Sequence, residues 1–102
     1  MFGVAAEIAA SGIELAGANL DIDSDIPIGA GLSSSAALEA ASAMALLQLA
    51  GATMSTHEVA TLCQRAERRH AGVDCGIMDQ YTVTMCPRGH AMLLDCRSLE
   101  HE

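Results

Sequence analysis

A chain of 102 residues with a formal net charge of −8 has room for one modest hydrophobic core and not for two domains. It contains no lysine, and its five arginines all lie from Arg65 onward, so it has no broad basic face with which to displace counterions from nucleic acid or an anionic membrane. Apolar residues make up 51% of the chain, yet nineteen of them are alanine and Phe2 and Tyr81 are the only aromatics, which predicts a lightly packed core.

In chain order, VAAEIAA spaces Val4 and Ile8 one helical turn apart and the pattern breaks at Gly12, predicting a first helix. No positive charge precedes these apolar residues, which argues against a secretory signal. ANLDIDSDIP then alternates Leu20 and Ile22 with Asp21 and Asp23, the two-residue period of a half-buried strand, and Pro27 ends it. From Ser34 or Ser35 to about Leu49 the alanine, leucine and methionine content predicts a helix, with Gly51 as its stop. The apolar run Ala40 to Ala52 falls short of the ~20 residues a spanning helix needs.

Another helix opens at Ser55, where Glu58 three residues on completes a capping box. Val59, Leu62, Cys63 and Ala66 form its apolar stripe and Gly72 closes it. Arg65, Arg68 and Arg69 cluster near that end, where the last carbonyls favour positive charge. A short helix over Met78 to Met85 follows, and then HAMLLDC, which reads as a buried strand. The order helix, strand, helix, helix, helix, strand predicts an α/β (α+β) fragment: an incomplete mixed sheet with helices packed on it. Cys63, Cys75, Cys86 and Cys96 form no C-x-x-C pair, so neither zinc nor a redox dithiol is indicated. They read mostly as small buried hydrophobes in a reducing cytosol. His57, His70, His90 and His101 have no catalytic or metal-ligand spacing and read as surface residues or caps.

The stretch with most chemistry is DIPIGAGLSSSAALE, residues 25–39. A glycine-containing loop that leads into a helix N-terminus presents unpaired N–H groups and about half a positive charge, an arrangement suited to phosphate. Ser33, Ser34 and Ser35 add hydroxyls that can donate to phosphate or ligate Mg²⁺, a cation that prefers oxygen. An ordinary serine N-cap after a tight turn has the same composition. The common phosphate loop is excluded, because it requires a lysine.

PIGAGLSSSAA closely resembles the second signature motif of the GHMP small-molecule kinases, the family of galactokinase, homoserine kinase and mevalonate kinase. SDIPIGAGLSSSAALE, CQRAERRHAGVDCGIMDQYT and HAMLLDCRSLE each resemble segments of the galactokinase branch, in the same order and at similar spacing. The resemblance implies that residues 1–102 are part of the family's N-terminal domain, of the type of ribosomal protein S5 domain 2. It also implies ATP-dependent phosphorylation of the anomeric hydroxyl of galactose, with ATP, Mg²⁺ and galactose as small-molecule partners in a cytoplasmic protein.

Roles follow position by position. Gly29, Ala30, Gly31, Leu32, Ser33, Ser34 and Ser35 are implied to wrap the triphosphate, with Ser34 or Ser35 ligating Mg²⁺. Glu67 is implied as the acidic metal ligand. Asp79 is implied as the catalytic aspartate facing the sugar hydroxyl, with Cys75 and Gly76 beside it in the sugar pocket. The family's upstream arginine-bearing motif and its glycine-rich third motif do not occur in these 102 residues. The chain alone is therefore expected to lack turnover and to carry an incomplete sheet. A galactose- and ATP-binding regulatory relative, a truncated remnant and another GHMP kinase are the alternative readings; the complete serine run and CGIMDQ favour a galactokinase.

Overall fold

The computed structural model describes residues 2–72 and 74–102. Four α-helices carry it: α1 (Phe2–Ala10), α2 (Ser34–Leu49), α3 (Thr56–Ala66), which runs on through a π-helical turn at Glu67–Ala71, and α4 (Met78–Met85). Each has a local cause. α3 begins at the predicted capping box: Ser55 Oγ accepts from the Glu58 N–H at 3.1 Å, and the Ser55 N–H donates to Glu58 Oε2 at 2.7 Å. Gly72 ends the π turn in the left-handed region, as Gly51 follows α2.

The core lies where α1, α2 and α3 meet. Val4 and Ile8 pack with Ala40, Ala43, Leu46 and Leu47 of α2 and with the full predicted stripe of α3. A smaller cluster of Ala60, Ile77 and Tyr81 joins α3 to α4. Alanine supplies many of these positions, and the helices approach closely as a result. At Gly3 an added Cβ would meet the Cβ of His70 at 2.7 Å. His70 cannot rotate its own Cβ away, so Gly3→Ala must push α1 off the π turn. Overpacking of that kind costs about 1–3 kcal/mol against a helix-propensity gain of about 1 kcal/mol. Urea unfolding should therefore show Gly3→Ala as destabilised, and an unchanged midpoint would contradict this packing.

Three expectations are corrected. Among the described residues there is no strand, and the sheet of the expected mixed architecture is absent. Residues 90–96, read as a buried strand, are mostly exposed, with Leu93 72% accessible; their one pairing is an isolated antiparallel bridge between Leu94 and His101. Among the described residues the alternating segment at Leu20–Asp23 makes no backbone hydrogen bonds to another segment. A strand exists only through a partner, and the two candidate segments do not pair with each other; two strands alone would in any case be marginal. Residues 20–26 instead border a groove of about 470 Å³ against the outer face of α2, lined by Ala37, Leu38, Ala41 and Ala45.

The arginine cluster does not serve the last carbonyls of α3. Arg65 and Arg69 reach across to Glu7 on α1, at 3.2 and 3.3 Å, and Arg68 approaches Asp74 at 3.5 Å. Of the four cysteines only Cys63 is buried, and Cys96 is exposed. The four histidines are exposed, as expected.

Candidate active site

The glycine and serine loop stands open to solvent at the start of α2. Gly29 and Gly31 have φ of 72° and 73°, which glycine adopts without strain, and space is free around both. Ser33 occupies the cap position in a left-handed conformation, φ 58° and ψ 42°, and its side chain makes no capping hydrogen bond. An N-cap serine that satisfied the helix would spend its hydroxyl on the second or third N–H. Among the described residues no side chain caps the first N–H groups of this sixteen-residue helix at its positive end, beside Ser34 and Ser35.

One turn into α2, the site gains carboxylates. Ser35 Oγ donates to Glu67 Oε1 at 3.2 Å, across 32 residues of chain. Glu67 begins the π turn, and a π turn changes the direction in which successive side chains leave the helix. Its other oxygen, Oε2, accepts from Gln80 Nε2 at 2.6 Å and from the Cys75 thiol at 3.2 Å. Cys75 is itself held in place: its carbonyl accepts from Arg68 Nε at 2.9 Å and from Gln64 Nε2 at 3.3 Å. Burial, then the hydrogen bond to Glu67 and its charge, push the Cys75 thiol up, so it acts as a neutral donor.

Glu39 lies beside Glu67 and the Gln80 amide. Burial, with the Glu67 charge adding to it, pushes its carboxyl up to about 7. Two buried side-chain atoms lack a hydrogen-bond partner among the described residues, and both are oxygens of this cluster: Glu39 Oε2 and Gln80 Oε1. An oxygen-rich site holding two carboxyl groups and a serine hydroxyl, with acceptors left over, fits a hard cation such as Mg²⁺. It would suit a thiolate-loving metal poorly, since the Cys75 thiol is pushed up and hydrogen-bonded to Glu67, and burial pushes the nearby Cys63 thiol up to about 12.

The tertiary structure thus brings Ser35, Glu67 and Cys75 together, out of the residues that the motifs single out. Asp79 and Gly76 lie nearby in sequence but are exposed, and among the described residues no side-chain hydrogen bond joins Asp79 to that cluster; Asp79 stands in the first turn of α4. Gly29 to Ser34 form the open rim. Two members of the cluster, Glu39 and Gln80, are not among the motif-derived site residues. The signals were present: Glu39 is the sole charge in α2 and follows Ser35 by one turn, and Gln80 adjoins Asp79.

The family described as GHMP kinases N terminal domain matches residues 1–86. Galactokinase from Chloroflexus aurantiacus is 46% identical over 99 residues, which make up 97% of this chain and 25% of that protein. Galactokinase from Bos taurus is 50% identical and that from Homo sapiens 48% identical, each over 86 residues, 84% of this chain and 22% of the relative. The chain spans about a quarter of the length of the curated relatives it matches.

Proposed function

From the premise that the chain belongs to the GHMP kinase family, whose N-terminal domain it matches over residues 1–86, we propose that it carries the phosphate cradle and acceptor-side carboxylates of an ATP-dependent galactokinase. The observation that carries this reading is the meeting of Ser35, Glu67 and Cys75 at the free N-terminus of α2, from segments far apart in sequence. The product would be galactose 1-phosphate, made in the cytoplasm. No helix among the described residues is long and apolar enough to cross a membrane.

Phosphoryl transfer leaves little covalent work to the protein, which must align donor and acceptor and neutralise the transferring oxygens. Gly29 to Ser33 would curve around the triphosphate, with the α2 N–H groups donating to its oxygens. Ser34 or Ser35 and Glu67 would hold Mg²⁺. The metal, when bound, neutralises phosphate charge that an acidic, lysine-free chain cannot neutralise with side chains. Asp79 would orient the anomeric hydroxyl and accept its proton as the oxygen bonds to the γ-phosphorus and ADP leaves. Cys75 and Gly76 would border the sugar.

Asp79 has no arginine paired to it among the described residues; Arg65, Arg68 and Arg69 are engaged with Glu7 and Asp74. The family's arginine-bearing motif is not among these 102 residues, and the isolated chain should bind MgATP without producing galactose 1-phosphate. Calorimetric titration with MgATP tests the cradle. The expected result is binding by the chain and its loss in the Ser34→Ala/Ser35→Ala variant; equal binding by both would remove the serine turn from the site.

A further inference from the structure

Glu39 carries a role that the motif residues do not cover. It is the single charged side chain of α2, and Ala36, Ala40 and Ala43 around it in the helix are buried. A carboxyl group in that setting costs free energy unless something compensates it. Its compensation among the described residues is incomplete, because Oε2 is buried without a hydrogen-bond partner there. Glu67 beside it makes matters worse, since two carboxylates that share a site repel.

Gln80 supplies an independent sign of a missing partner. The residue is 1% exposed, and the 2.6 Å bond from its Nε2 to Glu67 Oε2 identifies which end of the amide is the donor. Its Oε1 is then a second buried acceptor with nothing donating to it. Both orphaned atoms are oxygens, and no buried side-chain nitrogen among the described residues is left unpaired, so what the cluster lacks is a donor or a cation. Glu39 also borders an opening of about 180 Å³ between α1 and the π turn, lined by Gly3, Ala66 and His70.

We propose that Glu39 is a second carboxylate donor to the divalent cation held by Ser35 and Glu67. Ser35, Glu39 and Glu67 then form a three-residue oxygen set in which α2 contributes two donors one turn apart and the π turn contributes the third. Gln80 and Cys75 occupy Glu67 Oε2, which leaves Oε1, the atom facing Ser35, for the metal. The inference rests on the cation site of the proposed function and adds a ligand to it.

Mn²⁺ alone is the probe, titrated against the chain and followed by the loss of the free-ion electron paramagnetic resonance signal, with the thermal midpoint read in parallel. The chain should take up Mn²⁺, and Glu67→Gln should abolish uptake. Glu39→Gln should weaken it about tenfold or more while leaving the metal-free midpoint equal or higher, because a repelling carboxylate has been removed. A merely structural Glu39 would instead lower that midpoint. Glu39→Asp, which keeps the charge, should restore part of the affinity and serves as the comparison if the glutamine variant does not fold. Uptake by Glu39→Gln equal to that of the unaltered chain, with Glu67→Gln inactive, would overturn the proposal and leave the Ser35 and Glu67 site standing. Failure of the unaltered chain to take up any Mn²⁺ would overturn both.

Discussion

Asp79→Asn should abolish nearly all phosphoryl transfer to galactose once the chain is placed in a complete enzyme. The suitable host is the Chloroflexus aurantiacus galactokinase, with its matching segment replaced by these residues, since the two are 46% identical over 99 positions. The unaltered graft should produce galactose 1-phosphate. In the variant kcat should fall by about 10²–10⁴, the range in which a positioned general base contributes. KM for ATP should stay near that of the unaltered graft, because Asp79 stands on α4 and among the described residues has no hydrogen bond to the serine loop. Asparagine keeps the shape and loses only the proton acceptor, and Asp79 is exposed, so folding should not be affected. An active Asp79→Asn graft would assign proton removal elsewhere and reduce Asp79 to an ordinary first-turn aspartate. A graft that loses ATP affinity along with turnover would place the residue on the nucleotide side.

The second large effect concerns stability. Glu7→Gln should lower the unfolding free energy of the chain by about 1–2 kcal/mol and its thermal midpoint by several degrees. The Glu7 side chain is only 4% exposed and accepts from Arg65 Nε at 3.2 Å and Arg69 Nη1 at 3.3 Å, with His70 Nε2 at 3.6 Å. This cluster ties α1 to the end of α3 and to the π turn. The arginines are roughly half exposed, which keeps the loss below that of a fully buried pair. Burial raises the Glu7 carboxyl, but the Arg65 hydrogen bond and the Arg69 charge outweigh it and hold the group below its ordinary 4.5. Its contribution is therefore fully present above pH 4.5 and is lost as pH falls through the lowered native value. Unfolding midpoints measured from pH 6 down to pH 3 should drop less steeply for Glu7→Gln than for the unaltered chain. Parallel curves would show that the ion pairs add nothing.

Local chemistry made a large part of this molecule legible. The α3 start at Ser55, the stop at Gly72, the stripe of Val59, Leu62, Cys63 and Ala66, and the bounds of α2 and α4 all depend on residues within one or two turns of each other. Capping, propensity and helical periodicity act at that range. The predicted strands failed for a related reason. The alternation at Leu20–Asp23 reports a two-residue period, but a strand is completed by hydrogen bonds to a distant partner, and periodicity carries no information about one.

The site divides along the same line. The serine loop was readable because glycine, serine and a following helix already define an anion-binding end, and likeness to the GHMP kinases pointed to Glu67, Cys75 and Asp79. Neither source placed Glu39 and Gln80 beside Glu67, and neither turned Arg65 and Arg69 toward Glu7. Those contacts join residues from 13 to 62 positions apart and depend on the packing of α1, α2 and α4 around α3 and its π turn. By itself the sequence determined where helices begin and end and which loop can receive phosphate, because the forces responsible act between near neighbours. Tertiary structure alone decided which charges meet, since the Glu67 charge reaches the partly buried Glu39 carboxyl only once the chain has folded.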